Sequence, residues 1–185
     1  MTAAVVLAAG GSSRFDGGAK LLAPFRGRAL VVWVVDAALA AGLGETIVVV
    51  GDTPLDAVLP AGVIVVRNAD WAAGIATSLQ AGVRAAARGG HEAAVVGLAD
   101  QPLVPASAWA AVAACASPVA VATYEGRRRN PVRLERSVWP LLPVTGDEGA
   151  RVLLRERPDL VVEVACSGEA ADVDTVADLD ALSDP

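Results

Sequence analysis

"AAVVLAAGGSSRFDGGAKLL", residues 3–22, joins an unbroken aliphatic run to a loop with four glycines, two serines and two cations, and then returns to leucine. A run of six apolar residues with no alternation is the pattern of a strand covered on both faces, as in a parallel sheet. Glycines placed directly after it let the backbone turn tightly and present N–H groups to an anion, with Arg14 and Lys20 able to neutralise charge from two sides. Lys20 is the only lysine in the chain, against fourteen arginines. By itself the stretch is as well described by a plain Gly/Ser turn with two solvated charges.

Outward from this stretch, Val-rich runs of strand length recur at 46–50, 62–66, 93–98, 118–123 and 160–164. Ala/Leu stretches with helical spacing lie between most of them, at 28–41, 71–88, 105–115, 133–142 and 147–156, and 172–185 reads as a short acidic closing helix. Strands that alternate with helices make βαβ units. The expected fold is α/β: a single three-layer Rossmann-like domain over residues 1–185 with a mostly parallel sheet. In such sheets ligands sit beyond the carboxyl ends of the strands, so the residues just after each Val run carry the function.

Composition narrows the chemistry. The net charge of −6 argues against a nucleic-acid polymer as partner, because phosphate-backbone binding needs a basic face, while a small anion needs only local cations. The apolar runs are too short to span a bilayer, and Met1-Thr2-Ala3 lacks a basic leader, so the expected compartment is the cytoplasm. Cys115 and Cys166 have no metal or redox spacing. The one histidine, His91, stands in Gly-Gly-His-Glu, most simply a turn before a strand, so Ser-His-Asp hydrolysis and zinc sites are unexpected. Phosphoryl or nucleotidyl transfer, which needs mainly positioning, a divalent metal and cations, survives that exclusion.

Other strand ends add to the first. Run 93–98 ends in Ala99-Asp100-Gln101-Pro102, a carboxylate where a metal-bound phosphate would lie, or an ordinary loop aspartate. Asn68, Gly74, Thr77 and Ser78 lie in a strand-to-helix loop, where Asn68 could read a base edge and Asp70 or Thr77 could instead cap the helix. Asp172 and Asp174 precede Thr175, itself a candidate cap. The loop after the first strand is neither a Walker A motif, since Ala19 precedes Lys20 and Leu21 follows it, nor G-x-G-x-x-G.

Taken together, LAAGGSSRF…GGAKLL, Asn68…Trp71…Gly74…Ser78, LADQPL at 98–103, RNPVRL at 129–134, GDEGARVLL at 146–154 and DVDTVADL at 172–179 resemble the nucleotidyltransferases that attach a nucleotide to molybdopterin, and most nearly their cytidylyltransferase branch. The resemblance implies transfer of CMP from CTP to the molybdenum cofactor, with Mg²⁺ and with release of pyrophosphate. It makes Leu7, Ala8, Ala9, Gly10, Gly11 and Ser12 the nucleotide-binding loop, Arg14 and Lys20 clamps on the triphosphate, and Asp100 a metal ligand. Asn68, Gly74 and Ser78 fall where the nucleoside is held, and Asp174, or Asp172, where a second metal contact is expected. Ala9 carries the cytosine preference, because the guanylyl branch has Gly there.

This chain departs from the pattern in two places. Arg14 to Lys20 is one residue longer than R-M-G-x-x-K, with Phe15-Asp16 where Met-Gly is usual. Asn130 stands where relatives often carry His, after the basic run Arg127, Arg128 and Arg129. Arg129 and Asn130 are candidate acceptor-binding residues, and the arginines either grip the acceptor's phosphate or form a solvated turn. Expected partners are a nucleoside triphosphate, a molybdopterin-type acceptor, and a molybdenum hydroxylase or its chaperone. The alternatives are GTP as donor, another phosphorylated acceptor, or a non-catalytic nucleotide-binding protein that delivers cofactor.

Overall fold

The computed structural model describes residues 1–11, 15, 16 and 18–183. Arg14, Ser12, Ser13 and Gly17, to which the sequence gives parts in the loop, lie outside the described residues. In chain order the elements are β1 (Thr2–Ala8), β2 (Pro24–Phe25), β3 (Arg28–Ala29), α1 (Leu30–Ala40), β4 (Thr46–Val50), β5 (Val63–Arg67), α2 (Ile75–Arg88), β6 (Ala93–Leu98), α3 (Ala106–Ala114), β7 (Val119–Tyr124), β8 (Arg127–Glu135), α4 (Arg151–Glu156), β9 (Val161–Ala165) and α5 (Val176–Ser183).

Seven strands form one sheet in the order β5-β4-β1-β6-β8-β7-β9. The β5-β4, β4-β1, β1-β6 and β7-β9 pairs are parallel, and β8 runs antiparallel to β6 and β7. The side-chain period of two divides each central strand between two cores. Ala4, Val6 and Ala8 of β1 pack with α1, α3 and α5, through Leu30, Val34, Trp109 and Leu179. Ala3, Val5 and Leu7 pack on the other face with Leu79 and Val83 of α2 and Leu153 of α4. The result is three layers with two aliphatic cores. Among the described residues no helix is long and apolar enough to cross a membrane.

Two glycines let helices approach the sheet. A Cβ on Gly82 of α2 would meet Val5 Cγ1 at 2.5 Å, and one on Gly97 of β6 would meet the Trp109 ring of α3 at 2.5 Å. The first contact lies at the middle of β1 and the second one residue before the carboxyl end of β6.

The structure corrects two expectations. Residues 127–129, read as a turn, open β8, and 133–142, read as a helix, form the end of β8 followed by a 3-10 helix over Arg136–Leu141. Pro131 disguises the strand, since proline removes a ladder hydrogen bond. The sheet accommodates it with a bulge: Val121 pairs with Val132 and Ala122 with Arg129, so Asn130 and Pro131 have no partners on β7.

Candidate active site

The carboxyl ends of β1, β4, β5 and β6 share one edge of the sheet because these strands are parallel. The loop after β1 passes through Ala9, Gly10 and Gly11, and the one after β6 through Ala99 and Asp100. The chain re-enters the cleft at Lys20, the first residue of a 3-10 turn, Lys20–Leu22, whose Leu21 is buried in the α1-side core.

Lys20 and Asp100 meet at the base of this edge. Lys20 Nζ donates to Asp100 Oδ2 at 2.8 Å and to Asp174 Oδ1 at 3.4 Å. The ammonium end is largely buried, with side-chain exposure of 11%, against 23% and 34% for the two carboxylates. Asp174 reaches this position because the segment before α5 is tied to the sheet edge: Val173 N–H donates to the Asp100 carbonyl at 2.9 Å. Thr175 then caps α5 reciprocally with Asp178, which accepts from the Thr175 backbone at 2.8 Å while its own N–H donates to Thr175 Oγ1 at 3.1 Å. Asp172 accepts from Gln101 Nε2 at 2.8 Å. Burial, then the nearby Asp100 charge, push its carboxyl above the usual range, against the lowering effect of the Gln101 hydrogen bond.

Above this cluster lies a cleft of about 430 Å³ whose walls include Leu7, Ala9, Gly10, Gly11, Lys20, Gly74, Ser78 and Asp100. The volume suits a small-molecule ligand, for which about 300–1,000 Å³ is usual. Ala8 turns its methyl into the α1-side core, so only its backbone is available to the loop. Asn68 is spent inside the protein. Its Nδ2 donates to Thr77 Oγ1 at 2.8 Å and to Ser78 Oγ at 2.9 Å, and its Oδ1 accepts from Asp70 N–H at 3.1 Å. The buried amide thus knits the β5-to-α2 loop to the first turn of α2 and shapes the wall rather than facing the cleft. Neither Asp70 nor Thr77 caps α2 with its side chain.

Two wall residues, Trp71 and Asp147, lie in stretches that the sequence singles out but to which it gives no role. Trp71 lies against the glycine loop: a Cβ on Gly11 would meet its ring at 3.2 Å, and one on Gly51 would meet it at 3.0 Å. Gly51 follows β4 as Gly10 follows the Val run of β1, a signal of the same kind that was legible. Asp147 stands opposite, on a segment fastened to the β5-to-α2 loop by Ala76 N–H to Gly146 O at 3.0 Å and Gly146 N–H to Ala73 O at 3.1 Å. Gly74, at φ +109°, permits that contact, since a Cβ there would fall 2.4 Å from Gly146 O. Arg129 and Asn130 line a second, neighbouring cavity.

A divalent cation fits the donor set. Asp100 Oδ1 is buried without a hydrogen-bond partner among the described residues, while Oδ2 holds Lys20. Among the described residues no three His, Cys, Asp or Glu side chains converge tightly enough to cage a metal alone. That is the pattern of a hard cation held by one or two carboxylates and completed by substrate phosphates and water.

Residues 4–161 match the MobA-like NTP transferase domain. The chain is 34% identical to the nicotine blue oxidoreductase of Paenarthrobacter nicotinovorans, over 93% of this chain and 91% of that protein. The crystal structure of Rv0371c in complex with manganese, from Mycobacterium tuberculosis H37Rv, is 28% identical and superposes with a TM-score of 0.83, covering 98% of this chain and 97% of that one. A nucleotidyl transferase from Methanothermobacter thermautotroptrophicus, 26% identical, gives a TM-score of 0.85, covering 100% of this chain and 96% of that one.

Proposed function

The chain belongs to the MobA-like NTP transferase domain family, and from that premise we propose that it transfers CMP from CTP to the phosphate of a molybdopterin-type cofactor, releasing pyrophosphate. The observation that carries this reading is Lys20 held between Asp100 and Asp174 beneath a glycine-lined cleft. In this reading the Gly10-Gly11 backbone and Lys20 take the triphosphate, Trp71 and Ser78 flank the nucleoside, and the Ala9 methyl narrows the base site toward cytosine. Asp100 and Asp174 would hold Mg²⁺, which supplies charge neutralisation on the phosphates when bound.

The acceptor's phosphate oxygen attacks the α-phosphorus in line, forming a new P–O bond. The bond from the α-phosphorus to the bridging oxygen breaks, and pyrophosphate leaves with the electron pair. A phosphate oxyanion is already a nucleophile at neutral pH, so no side chain has to remove a proton. That agrees with the surroundings of the only histidine. His91 is 2% exposed, paired with Glu45 at 3.0 Å, and precedes the amino end of β6, the opposite edge of the sheet from the cleft. Lys20 offsets the charge that builds on the departing group, and Trp71 and Leu7 exclude water from one side of the cleft. The product would pass to a molybdenum hydroxylase or its chaperone in the cytoplasm.

The name of the Paenarthrobacter relative describes an oxidoreductase, which makes redox chemistry the reading to test against. A hydride transfer develops no phosphate charge for a carboxylate-held lysine to offset, so the site geometry favours transfer. The experiment measures pyrophosphate release from each of the four nucleoside triphosphates, with and without molybdopterin and with Mg²⁺ or Mn²⁺, alongside oxidation of a reduced nicotinamide cofactor. CTP- and pterin-dependent pyrophosphate release is expected. Release with GTP alone, or with a different phosphorylated acceptor, would reassign donor or acceptor, and nicotinamide oxidation without any release would overturn the reading.

A further inference from the structure

A second cavity of about 630 Å³ adjoins the first, and the two share Leu7, Ile75, Leu98 and Asp147 in their walls. The sheet side of this cavity is aliphatic, formed by Val96, Val121 and Val132, with Leu79 and Leu154 beside them. Four arginines stand around it: Arg128, Arg129, Arg151 and Arg155. The protein itself neutralises two of them. Arg128 Nε donates to Glu163 Oε1 at 2.7 Å, and Arg155 makes a forked pair with Glu148 at 2.6 and 3.0 Å. Arg129 and Arg151 make no ion pair among the described residues.

The two remaining cations come from different elements and converge on one space. Arg129 stands where β8 bulges at Asn130-Pro131, beside Val132 of the apolar wall. Arg151 opens α4, following the segment that carries Asp147 between the two cavities. Gln101, whose Nε2 donates to Asp172, lines the same cavity as Arg129, and the Arg129 charge favours the ionised Asp172 carboxylate.

Resting on the nucleotidyl-transfer reading, we propose that Arg129 and Arg151 bind the anionic group of the acceptor, a phosphomonoester carried on a flat heterocycle whose face lies against Val96, Val121 and Val132. Two guanidinium forks match the several oxygens of a phosphate, and an aliphatic wall matches the face of a ring. Arg129 orients the phosphate for attack, and Arg151 adds a second fork that holds it. Arg151 therefore contributes to acceptor affinity from the second cavity.

The test compares the wild type with R129Q, R151Q, R151K and the double variant R129Q/R151Q, with the exposed α2 substitution R84Q as control. Steady-state pyrophosphate release is measured with CTP and a phosphorylated pterin. The acceptor KM is expected to rise at least tenfold in each Gln variant, with the CTP KM within twofold and R151K recovering part of the loss. An unchanged acceptor KM in R129Q and R151Q would overturn the assignment. Binding of inorganic phosphate to the nucleotide-free protein, read as ³¹P line broadening, tests the arginines without turnover. Broadening that is smaller in the double variant than in R84Q supports the pair, the remainder belonging to the Lys20 cleft, and broadening in the double variant equal to that of the wild type overturns it. If the wild type releases no pyrophosphate with any acceptor, the transferase reading fails and the phosphate measurement still decides the arginines.

Discussion

Lys20 Nζ and Asp100 Oδ2 are 2.8 Å apart although 80 positions separate them in the chain. The pair joins the loop after β1 to the turn after β6, neighbouring parallel strands whose register fixes both ends. With the ammonium largely buried, removing Lys20 leaves Asp100 and Asp174 without their shared cation, and removing Asp100 takes away the shorter of the ammonium's two carboxylate contacts. We expect K20M or D100A to lower stability by about 2 kcal/mol. The double variant should cost less than the sum of the singles, a coupling readable from denaturant melts. Additive losses would show that the two groups are independently solvated.

The same pair predicts activity. D100N keeps the shape of the side chain but removes the charge that would hold a divalent cation and the ammonium together. Its kcat for pyrophosphate release should fall by about 10²-fold or more, the scale of losing one preorganised electrostatic group. Metal titrations of the rate should shift to higher concentration. Unaltered metal dependence in D100N would remove Asp100 from the metal site.

Gly74 is a geometric requirement of the cleft. At φ +109° an L side chain is strained, and its Cβ would lie 2.4 Å from the Gly146 carbonyl oxygen. G74A must separate the β5-to-α2 loop from the segment carrying Asp147, at a cost above the roughly 1 kcal/mol of the backbone strain alone. A raised KM for the nucleoside triphosphate and a lowered Tm are expected together. A G74A protein with wild-type KM would mean that this wall does not meet the nucleotide.

Much of the fold and part of the site were legible in the sequence for one reason: buried parallel strands are written as short aliphatic runs, and ligand loops follow their carboxyl ends. β4 and β6 occupy 46–50 and 93–98 as expected, and β1 begins one residue before the expected 3–8. Lys20, Asp100 and Asp174 were singled out by motif, yet their meeting depends on sheet order and on the Val173 backbone hydrogen bond to Asp100, neither of which is written locally. β8 was hidden because its polar half is solvent-exposed and its Pro131 contradicts a strand, a conflict settled only by the bulge opposite β7. Asn68 was legible as a site-loop residue but not as a side chain turned inward, since an amide that reads a base and one that ties a loop have the same sequence. Arg151 sits in the GDEGARVLL block but received no role of its own, since an arginine within a helical pattern reads equally as a solvated charge.

Asp172 predicts a pH dependence. Its carboxyl is raised above the ordinary value, first by burial and then by Asp100, so the ionised form is disfavoured in the folded state. Folding then gains from the protonated carboxyl below the ordinary carboxylate range, and that gain is lost as pH rises through the raised folded value. D172N removes the charge and keeps an oxygen for Gln101 Nε2. In metal-free buffer it should melt higher than the wild type at pH 7, with the difference shrinking as pH falls toward 4. Equal Tm values across that range would show that the ionised carboxylate is not disfavoured by folding.

Lys20→Arg conserves charge and tests whether shape matters at the base of the cleft. The ammonium fits between Asp100 Oδ2 at 2.8 Å and Asp174 Oδ1 at 3.4 Å in a setting that leaves its side chain 11% exposed. A guanidinium is broader and planar, and it forms a two-pronged pair with one carboxylate where an ammonium shares itself among several oxygens. In K20R the fork would settle on Asp100, bring its second nitrogen toward Oδ1, unpartnered among the described residues, and so occupy the oxygen that a divalent cation would use. Stability should therefore survive, with Tm at or above that of the wild type, while kcat falls by about tenfold or more and the metal concentration for half-maximal rate rises. Calorimetric titration of Mn²⁺ into the nucleotide-free variant should show the same weakening without turnover. Wild-type rates and wild-type metal affinity in K20R would mean that only the positive charge at this position matters.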